Sequence, residues 1–284
     1  MTEPLESLFS LEGRTIVVTG GYGQIGRALT AAFVDAGAKV AVIEPDADAD
    51  QTERCFGALA SSSRLAAFQA DVTDRTALAG ACAALIERFG PPHGLVNNAA
   101  LDSPPDSPPE ETGPFEFYPE SSWDRVMDVN VKGVFLACQA FGAVMAKERR
   151  GAIVNVGSVY GAVSPDQSLY EYRRARSDEF YKPVAYAASK SALYNLTRYI
   201  AVYWGPKNVR ANTVTFAGIF NHQDPAFLER YGAKIPLRKD ASEGARGGMA
   251  DPSDAVGPVA YLLSDAAGYM TGADLRVDGG FLAL

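Results

Sequence analysis

Two side chains that could move a proton stand four positions apart in "KPVAYAASKSALYNL", which covers residues 182–196. Tyr186 and Lys190 would share one face of a helix, and only small residues separate them. A phenol ordinarily ionises near pH ~10, which is too high for a general base at neutral pH. An adjacent ammonium favours the phenolate, so we expect it to lower the pKa of Tyr186. The alternative is a solvated helix face that carries an incidental tyrosine–lysine pair.

A glycine-rich turn, "TGGYGQIG" at 19–26, follows the β-branched run "RTIVVT" and opens a helical stretch. Gly20 could make the tight turn, Gly23 could let a pyrophosphate approach the backbone, and Gly26 could let the helix pack closely on the sheet. A turn of purely structural use is the competing interpretation.

Glu44 ends the next β-branched run, where a carboxylate can bind the hydroxyls of an adenosine ribose and repel a 2′-phosphate. No arginine or lysine follows it directly in "EPDADAD". The pattern therefore favours NAD over NADP. A solvated carboxylate at a strand end is the alternative.

The rest of the chain supplies elements that could position these groups. Short β-branched runs alternate with alanine-rich stretches, which predicts a parallel sheet with crossover helices on both faces. Strands are expected at 14–19, 39–44, 64–70, 94–99, 151–158, 208–214 and 274–279. The predicted fold class is α/β, a doubly wound parallel sheet of the Rossmann type. With no internal repeat or linker, residues 1–284 are expected to form a single domain with a short N-terminal extension at 1–12.

Three long segments interrupt this alternation, at 101–120, 159–183 and 216–250, and each follows a predicted strand. Loops after strands gather at the carboxyl edge of a doubly wound sheet, where ligands bind. Long loops in compact domains are commonly functional. We therefore expect all three segments to border the active site.

Composition excludes several classes of function. The chain has 284 residues and a net charge of −8, which disfavours nucleic acid and acidic membranes as partners. Cys55, Cys82 and Cys138 lack metal-ligand spacing, and His93 and His222 are isolated, so no metal site is expected. No secretion signal is evident, and no apolar run approaches the length of a membrane span. These features predict a cytoplasmic protein whose partner is a small molecule.

Further motifs follow in a fixed order: "NNAA" at 97–100, "DVNVKG", "NVGSVYG", Tyr-x-x-x-Lys and "VDGG" at 277–280. With these motifs the chain resembles the short-chain dehydrogenase/reductase family over nearly its whole length. The resemblance implies an NAD-dependent oxidoreductase that assembles as a homo-oligomer, a tetramer or a dimer. It also implies four catalytic residues. Tyr186 is the acid/base, Ser158 holds the substrate oxygen, Lys190 tunes the phenol and binds the nicotinamide ribose, and Asn130 completes a proton relay through a helix kink and water.

The same resemblance implies which residues bind the cofactor. They are Gly20, Tyr22, Gly23, Gln24, Ile25, Gly26, Glu44, Asp71, Val72, Asn98, Ala99, Ala100, Tyr186, Lys190, Gly218 and Ile219.

The sequence also departs from the family in three places. Gln24 stands where the single-domain branch usually has glycine, and Phe216-Ala217 replaces the usual Pro-Gly. Ser158 and Tyr186 lie 28 positions apart, roughly twice the family's usual separation. The added residues are therefore expected beside the active site.

The added segment carries Arg173, Arg174 and Arg176 among aromatic residues. They could bind an anionic group of the substrate, lie solvated on an exposed helix, or contact another subunit. Tyr160 and His222 are also expected near the substrate.

The predicted function is hydride transfer between nicotinamide and a secondary alcohol or ketone of a polar, sugar-like substrate, anionic if the arginines bind it. The stretches "SPDQSLYEYRR" and "FNHQDPAF" resemble family members linked to bacterial surface-sugar biosynthesis. Two alternatives remain: a nucleotide-sugar epimerase or dehydratase with tightly held NAD, and a non-catalytic dinucleotide sensor.

Overall fold

A seven-stranded parallel sheet forms the centre of the protein in this computed structural model. The structure describes residues 4–102, 108–237 and 247–284, so parts of the N-terminal extension and of two predicted long segments lie outside the described residues. The strands are β1 (Thr15–Thr19), β2 (Lys39–Glu44), β3 (Leu65–Gln69), β4 (Gly94–Asn97), β5 (Gly151–Ser158), β6 (Val209–Phe216) and β7 (Asp274–Val277). Their spatial order is β3-β2-β1-β4-β5-β6-β7.

All seven strands lie where the sequence predicts them, and the α/β doubly wound fold class is confirmed. The order reverses between β1 and β4, which pair in parallel from Ile16 opposite Gly94 to Thr19 opposite Asn97. Such a switch point opens a crevice at the carboxyl ends of the strands. β6 continues to Phe216, two residues beyond the predicted end, and pairs with Ser158 of β5.

Helices cover both faces of the sheet. They are α1 (Leu5–Phe9), α2 (Gln24–Asp35), α3 (Ala49–Phe56), α4 (Arg75–Phe89), α5 (Pro109–Thr112), α6 (Glu120–Met127), α7 (Val134–Ala137), α8 (Ala143–Glu148), α9 (Val159–Ala162), α10 (Glu171–Arg174), α11 (Val184–Trp204), α12 (Pro225–Gly232) and α13 (Val256–Leu263). Their ends follow local chemistry. For example, the Asp74 side chain accepts the backbone N–H groups of Thr76 and Ala77 at the start of α4, and Gly90, with φ of +83°, ends it.

The helices α6, α7 and α8 join through two π-helical turns, Asp128–Gly133 and Cys138–Gly142, into one helical run. This run, Glu120–Glu148, is long and apolar enough to cross a membrane by length and composition. The expectation that no stretch approaches that length is therefore wrong. However, 56% of its most apolar window is buried inside the protein, as in the core helix of a soluble fold.

Two apolar cores lie on the two faces of the sheet, and a third lies beyond its carboxyl edge. The buried residues of this third core are Val159, Tyr160, Leu169, Tyr170, Phe180, Leu228, Tyr231, Ile235 and Met249. They come from two of the segments predicted as active-site loops, at 159–183 and 216–250. These segments thus pack on each other through α9, the 3-10 turn Gln167–Tyr170 and α12, because their aromatic residues give them apolar surface to bury.

Candidate active site

One cavity of about 1130 Å³ runs along the carboxyl edge of the sheet. Most of the site residues predicted from the sequence line it: Gly20, Gly23, Gln24, Ile25, Glu44, Asp71, Val72, Asn98, Ala99, Ala100, Ser158, Tyr160, Arg173, Arg176, Tyr186, Lys190, Gly218, Ile219 and His222. Four others, Tyr22, Gly26, Asn130 and Arg174, lie outside the lining.

At one end of the cavity, the turn after β1 requires glycine at two positions. Gly20 has φ of +66°, and a Cβ there would lie 2.7 Å from the Cα of Ala99. A Cβ on Gly26 would overlap the carbonyl oxygen of Gly20. The turn therefore stays close to β4 and leads into the N-terminus of α2, where backbone N–H groups and the helix dipole favour an anion.

Glu44 lies beside this turn and helps to fix it. Its Oε1 accepts a hydrogen bond from the backbone N–H of Tyr22 at 2.7 Å. Burial, more than the neighbouring Asp46, raises the pKa of Glu44, while the bond from Tyr22 lowers it. Tyr22 itself turns away from the cavity, because its hydroxyl bonds to Thr52 at 2.7 Å. Tyr22 therefore contributes its backbone rather than its ring to this end.

Asn98 connects β4 to the same turn. Its Nδ2 donates to the carbonyl oxygen of Gly20 at 2.8 Å and to that of Thr19 at 3.2 Å. The segment after β3 is held by its own bonds, since the Asp71 carboxylate accepts the backbone N–H and hydroxyl of Thr73, each at 2.8 Å. The shape of this end is therefore set mainly by short polar bonds to the backbone.

At the other end, the buried Ser158 closes β5, and Tyr186, half-buried, lies in the first turn of α11. Burial and the Asp102 carboxylate raise the pKa of Tyr186, whereas a hydrogen bond with Ser158 lowers it. The net direction is upward. In the protein alone, desolvation of the phenolate dominates, and the expected lowering of this pKa by Lys190 together with the positive nicotinamide ring stays a prediction.

Lys190 lies one turn further along α11, with its Nζ 5.8 Å from the centre of the Tyr186 ring. The Nζ donates to the carbonyl oxygen of Val156 at 2.7 Å. Burial lowers the pKa of Lys190 to about 8, although the Asp102 carboxylate opposes this. The ammonium thus lies in the cavity at the junction of its two ends.

Asn130 lies on the first π-helical turn and is buried. Its Nδ2 donates to the Leu101 carbonyl and to the Ser189 hydroxyl, both at 2.9 Å, and its Oδ1 accepts the Leu101 N–H at 2.7 Å. Ser189 in turn donates to the carbonyl of Tyr186 at 2.7 Å. Asn130 therefore fixes the segment after β4 to the start of α11, and its role in a water relay stays a prediction.

The three predicted arginines separate in the structure. Arg173 pairs with Asp178 at 2.5 Å, and Arg176 pairs with Asp224 at 3.0 Å; both arginines line the cavity. Arg174 instead donates to the carbonyl oxygens of Phe180 and Gln167, each at 2.8 Å. Its guanidinium therefore holds the inserted segment together, away from the substrate.

Sequence reasoning missed two residues at this end, Asp102 and Tyr231. Asp102 forms an ion pair with Lys182 of the inserted segment, and both members of the pair line the cavity. Tyr231 of the third core accepts the backbone N–H of Gly218 at 2.7 Å and thereby fixes the turn after β6. That turn starts at Phe216-Ala217, where the family usually has Pro-Gly. The proximity of Asp102 to "NNAA" was the only signal in the sequence that could have indicated its place.

A family model described as "Enoyl-(Acyl carrier protein) reductase" matches residues 20–282. The chain belongs to the short-chain dehydrogenase/reductase family. The match spans both ends of the cavity, so the family assignment covers the glycine turn as well as Ser158, Tyr186 and Lys190. The predicted family is confirmed.

Relatives of known activity support the same conclusion. The chain is 34% identical over 285 residues to a 2-(S)-hydroxypropyl-CoM dehydrogenase of Xanthobacter autotrophicus, covering 96% of this chain and 98% of the relative. It is 35% identical over 278 residues to a galactitol 2-dehydrogenase of Rhizobium johnstonii, covering 96% of each. A solved short-chain dehydrogenase from Leptospira borgpetersenii with bound NAD⁺ superposes with a TM-score of 0.81 at 29% identity, over 99% of this chain and 97% of that one.

These similarities confirm that this short-chain dehydrogenase/reductase is an oxidoreductase with a Rossmann-type fold. The relatives named above are dehydrogenases, so neither the epimerase or dehydratase alternative nor the sensor alternative is favoured.

Proposed function

We propose that the protein is an NAD-dependent dehydrogenase that interconverts a secondary alcohol and a ketone of a polar, sugar-like substrate. The observation that carries the proposal is the single cavity that joins the glycine turn and Glu44 to Ser158, Tyr186 and Lys190. The galactitol dehydrogenase among the relatives supports the substrate class.

The residues present fit NAD. Gly20 and Gly23 line the cavity at the start of α2, where backbone N–H groups and the helix dipole can hold a pyrophosphate. Glu44 offers a carboxylate where a ribose would lie, and no arginine or lysine follows it directly to pair with a 2′-phosphate. The NAD-bound relative has the same fold. Bound NAD supplies the hydride acceptor of the oxidation.

The remaining chemistry belongs to the chain. We assign Tyr186 as the group that takes the hydroxyl proton of the alcohol, or returns a proton to the ketone oxygen. Ser158 holds that oxygen, and Lys190 favours the phenolate while binding the ribose. Asn130 positions α11 through Ser189. Because burial raises the pKa of Tyr186, the phenol of the protein alone is protonated at neutral pH.

The test is to incubate the protein with NAD and separate panels of sugar alcohols, sugars and sugar acids while following the absorbance of the reduced cofactor. Formation of NADH with at least one secondary alcohol is expected. A changed sugar without net NADH would instead indicate an epimerase. NAD binding without any turnover would indicate a sensor.

We also propose that the enzyme is a homo-oligomer, a tetramer or a dimer, in the cytoplasm. The exposed face of α11 carries Tyr199, Val202 and Tyr203, and Phe135 is partly exposed on α7. Neighbouring apolar residues at a surface are typical of a protein contact. Light scattering should show more than one subunit, and Val202→Asp should reduce the mass.

A further inference from the structure

An ion pair crosses the substrate end of the cavity. Asp102, in the segment after β4, contacts the Nζ of Lys182, in the inserted segment before α11. The same Nζ lies 5.1 Å from the centre of the Tyr186 ring. The Lys182 side chain is only 8% exposed, whereas that of Asp102 is 54% exposed. The carboxylate therefore lies beside the reacting phenol while remaining accessible to a ligand.

An amide side chain holds the backbone at each member of this pair, at Lys182 itself and at the residue before Asp102. Asn130 accepts the N–H of Leu101 at 2.7 Å and donates to its carbonyl at 2.9 Å, which fixes the residue before Asp102. Gln167 accepts the N–H of Lys182 at 2.9 Å and donates to its carbonyl at 3.0 Å. The two charged groups are thus preorganised from opposite sides of the cavity, as a recognition site requires.

The Tyr160 hydroxyl is a third polar group that could bind a ligand at this end of the cavity. The Tyr160 side chain is buried and lines the cavity, and its hydroxyl makes no well-formed hydrogen bond among the described residues. The Tyr170 hydroxyl lies close enough to interact with it, but not in the geometry of a good hydrogen bond, and Asp102 and Tyr186 act on it electrostatically. A buried hydroxyl in this state gains a hydrogen bond when a polar ligand enters.

Most of the charges that the described residues place at the substrate end are paired. Arg173, Arg176 and Lys182 pair with Asp178, Asp224 and Asp102 respectively, whereas Lys190 donates to the Val156 carbonyl. An anionic substrate would have to compete with these aspartates. A neutral substrate with several hydroxyl groups needs no such exchange, because each hydroxyl both donates and accepts.

We propose that Asp102, held by Lys182, is a specificity-determining residue that accepts a hydrogen bond from the hydroxyl next to the reacting carbinol, so that the preferred substrate is a neutral vicinal diol. The proposal rests on the proposed dehydrogenase function. The reacting hydroxyl lies between Ser158 and Tyr186, and the neighbouring hydroxyl lies against Asp102. A carboxylate accepts more than one hydrogen bond, so it can hold Lys182 and a substrate hydroxyl together.

The test compares propylene glycol with isopropanol, which differ only by a hydroxyl on the carbon next to the carbinol. We expect wild-type kcat/KM to be higher for the diol. Asp102→Ala should lower the diol-to-alcohol ratio of kcat/KM by about tenfold to a hundredfold, the effect of a hydrogen bond to a charged group. Because Asp102 also raises the pKa of Tyr186, its removal affects the turnover of both substrates, and the ratio measured within one variant is therefore the quantity compared. Asp102→Asn keeps the shape of the side chain and should lower the diol-to-alcohol ratio of kcat/KM by a smaller factor than Asp102→Ala.

Asp265→Ala is the matched control, because Asp265 forms a similarly half-exposed ion pair with Arg14 outside the cavity. It should leave the ratio unchanged. Circular dichroism and NAD titration establish that each variant is folded. An unchanged ratio in folded Asp102→Ala would overturn the proposal.

A calorimetric titration of threitol into the protein–NADH complex separates this proposal from the proposed function. Loss of threitol affinity in Asp102→Ala, but not in Asp265→Ala, supports the diol site even if no alcohol is oxidised, and only the dehydrogenase proposal then fails. Equal threitol affinity in the two variants overturns the diol site, whatever the turnover.

Discussion

The two ends of the cavity are built differently. At the cofactor end, the turn is held by bonds to its own backbone: Asn98 donates to the Gly20 carbonyl, and Glu44 accepts the N–H of Tyr22. At the substrate end, the walls are side chains of a separate apolar core and the lining charges are paired with one another. The first end can therefore hold a fixed ligand. The second can change its specificity by substitution without disturbing the sheet.

The largest effect is expected at the acid/base residue of the substrate end. Tyr186→Phe removes the phenolic proton and keeps the ring, so turnover should fall about a hundredfold to ten-thousandfold. NAD affinity, measured by fluorescence titration, should stay within about twofold. Retained turnover with lost NAD binding would contradict the assignment.

Substitutions of two neighbouring arginines in the inserted segment are expected to change different properties, one the substrate KM and the other the stability. Arg173→Ala leaves Asp178 in the cavity without its cation and should raise the substrate KM about tenfold, with NAD affinity unchanged. Arg174→Ala removes two bonds to backbone carbonyls and should instead lower the free energy of unfolding by about 1–3 kcal/mol. Arg64→Ala, exposed and outside the cavity, is the control. Equal effects of the two substitutions on KM would contradict the different roles assigned to Arg173 and Arg174.

A smaller change is expected at the ribose side of the cofactor end. Glu44→Ala should narrow the difference between the NAD and NADP dissociation constants by about tenfold. It should not reverse the preference, because no arginine or lysine follows Glu44 directly to pair with a 2′-phosphate. Glu44→Gln keeps an acceptor for the Tyr22 N–H, so comparing the two variants separates loss of charge from loosening of the turn. Tighter binding of NADP than of NAD by the wild type would contradict the role of Glu44.

The smallest effect concerns stability. Burial lowers the pKa of Lys190 from 10.5 to about 8, so the folded state binds this proton less tightly than the unfolded chain. The free energy of unfolding should therefore rise with pH between those two values. Lys190→Met should be about 1 kcal/mol more stable than wild type near pH ~7, after the lost bond to Val156 is counted, and this advantage should shrink above pH ~8. Urea unfolding across this pH range, with exposed Lys207→Met as control, measures the difference. If Lys190→Met differs from wild type by the same free energy of unfolding at every pH, burial does not lower the pKa of Lys190.

The cofactor end was predictable because its signals are local. Glycine spacing, the preceding β-branched run and Glu44 at the next strand end all lie within one strand–helix–strand unit. The seven strands were equally accessible from their apolar runs. The positions of Ser158, Tyr186 and Lys190 in one cavity followed from the family resemblance together with the parallel topology.

The substrate end was less predictable because its contacts join distant parts of the chain. Asp102 and Lys182 lie 80 positions apart, and no periodicity links them. The orientation of Arg174 depends on how the short helix α10 rests on Phe180 and Gln167. The pKa of Tyr186 also required the fold, since its direction depends on how deeply the ring is buried.

One bond between the two ends gives a reason for the unusual Gln24. Its Nε2 donates to the carbonyl oxygen of Phe220 at 2.5 Å, so the glycine turn is tied to the segment after β6. A glycine at this position could not make that contact. A ligand that restricts the motion of the turn is therefore expected to restrict the segment around Ile219 and His222 as well. We therefore expect positive coupling between dinucleotide and substrate, in which each ligand raises the affinity for the other by the same factor because thermodynamic linkage is reciprocal.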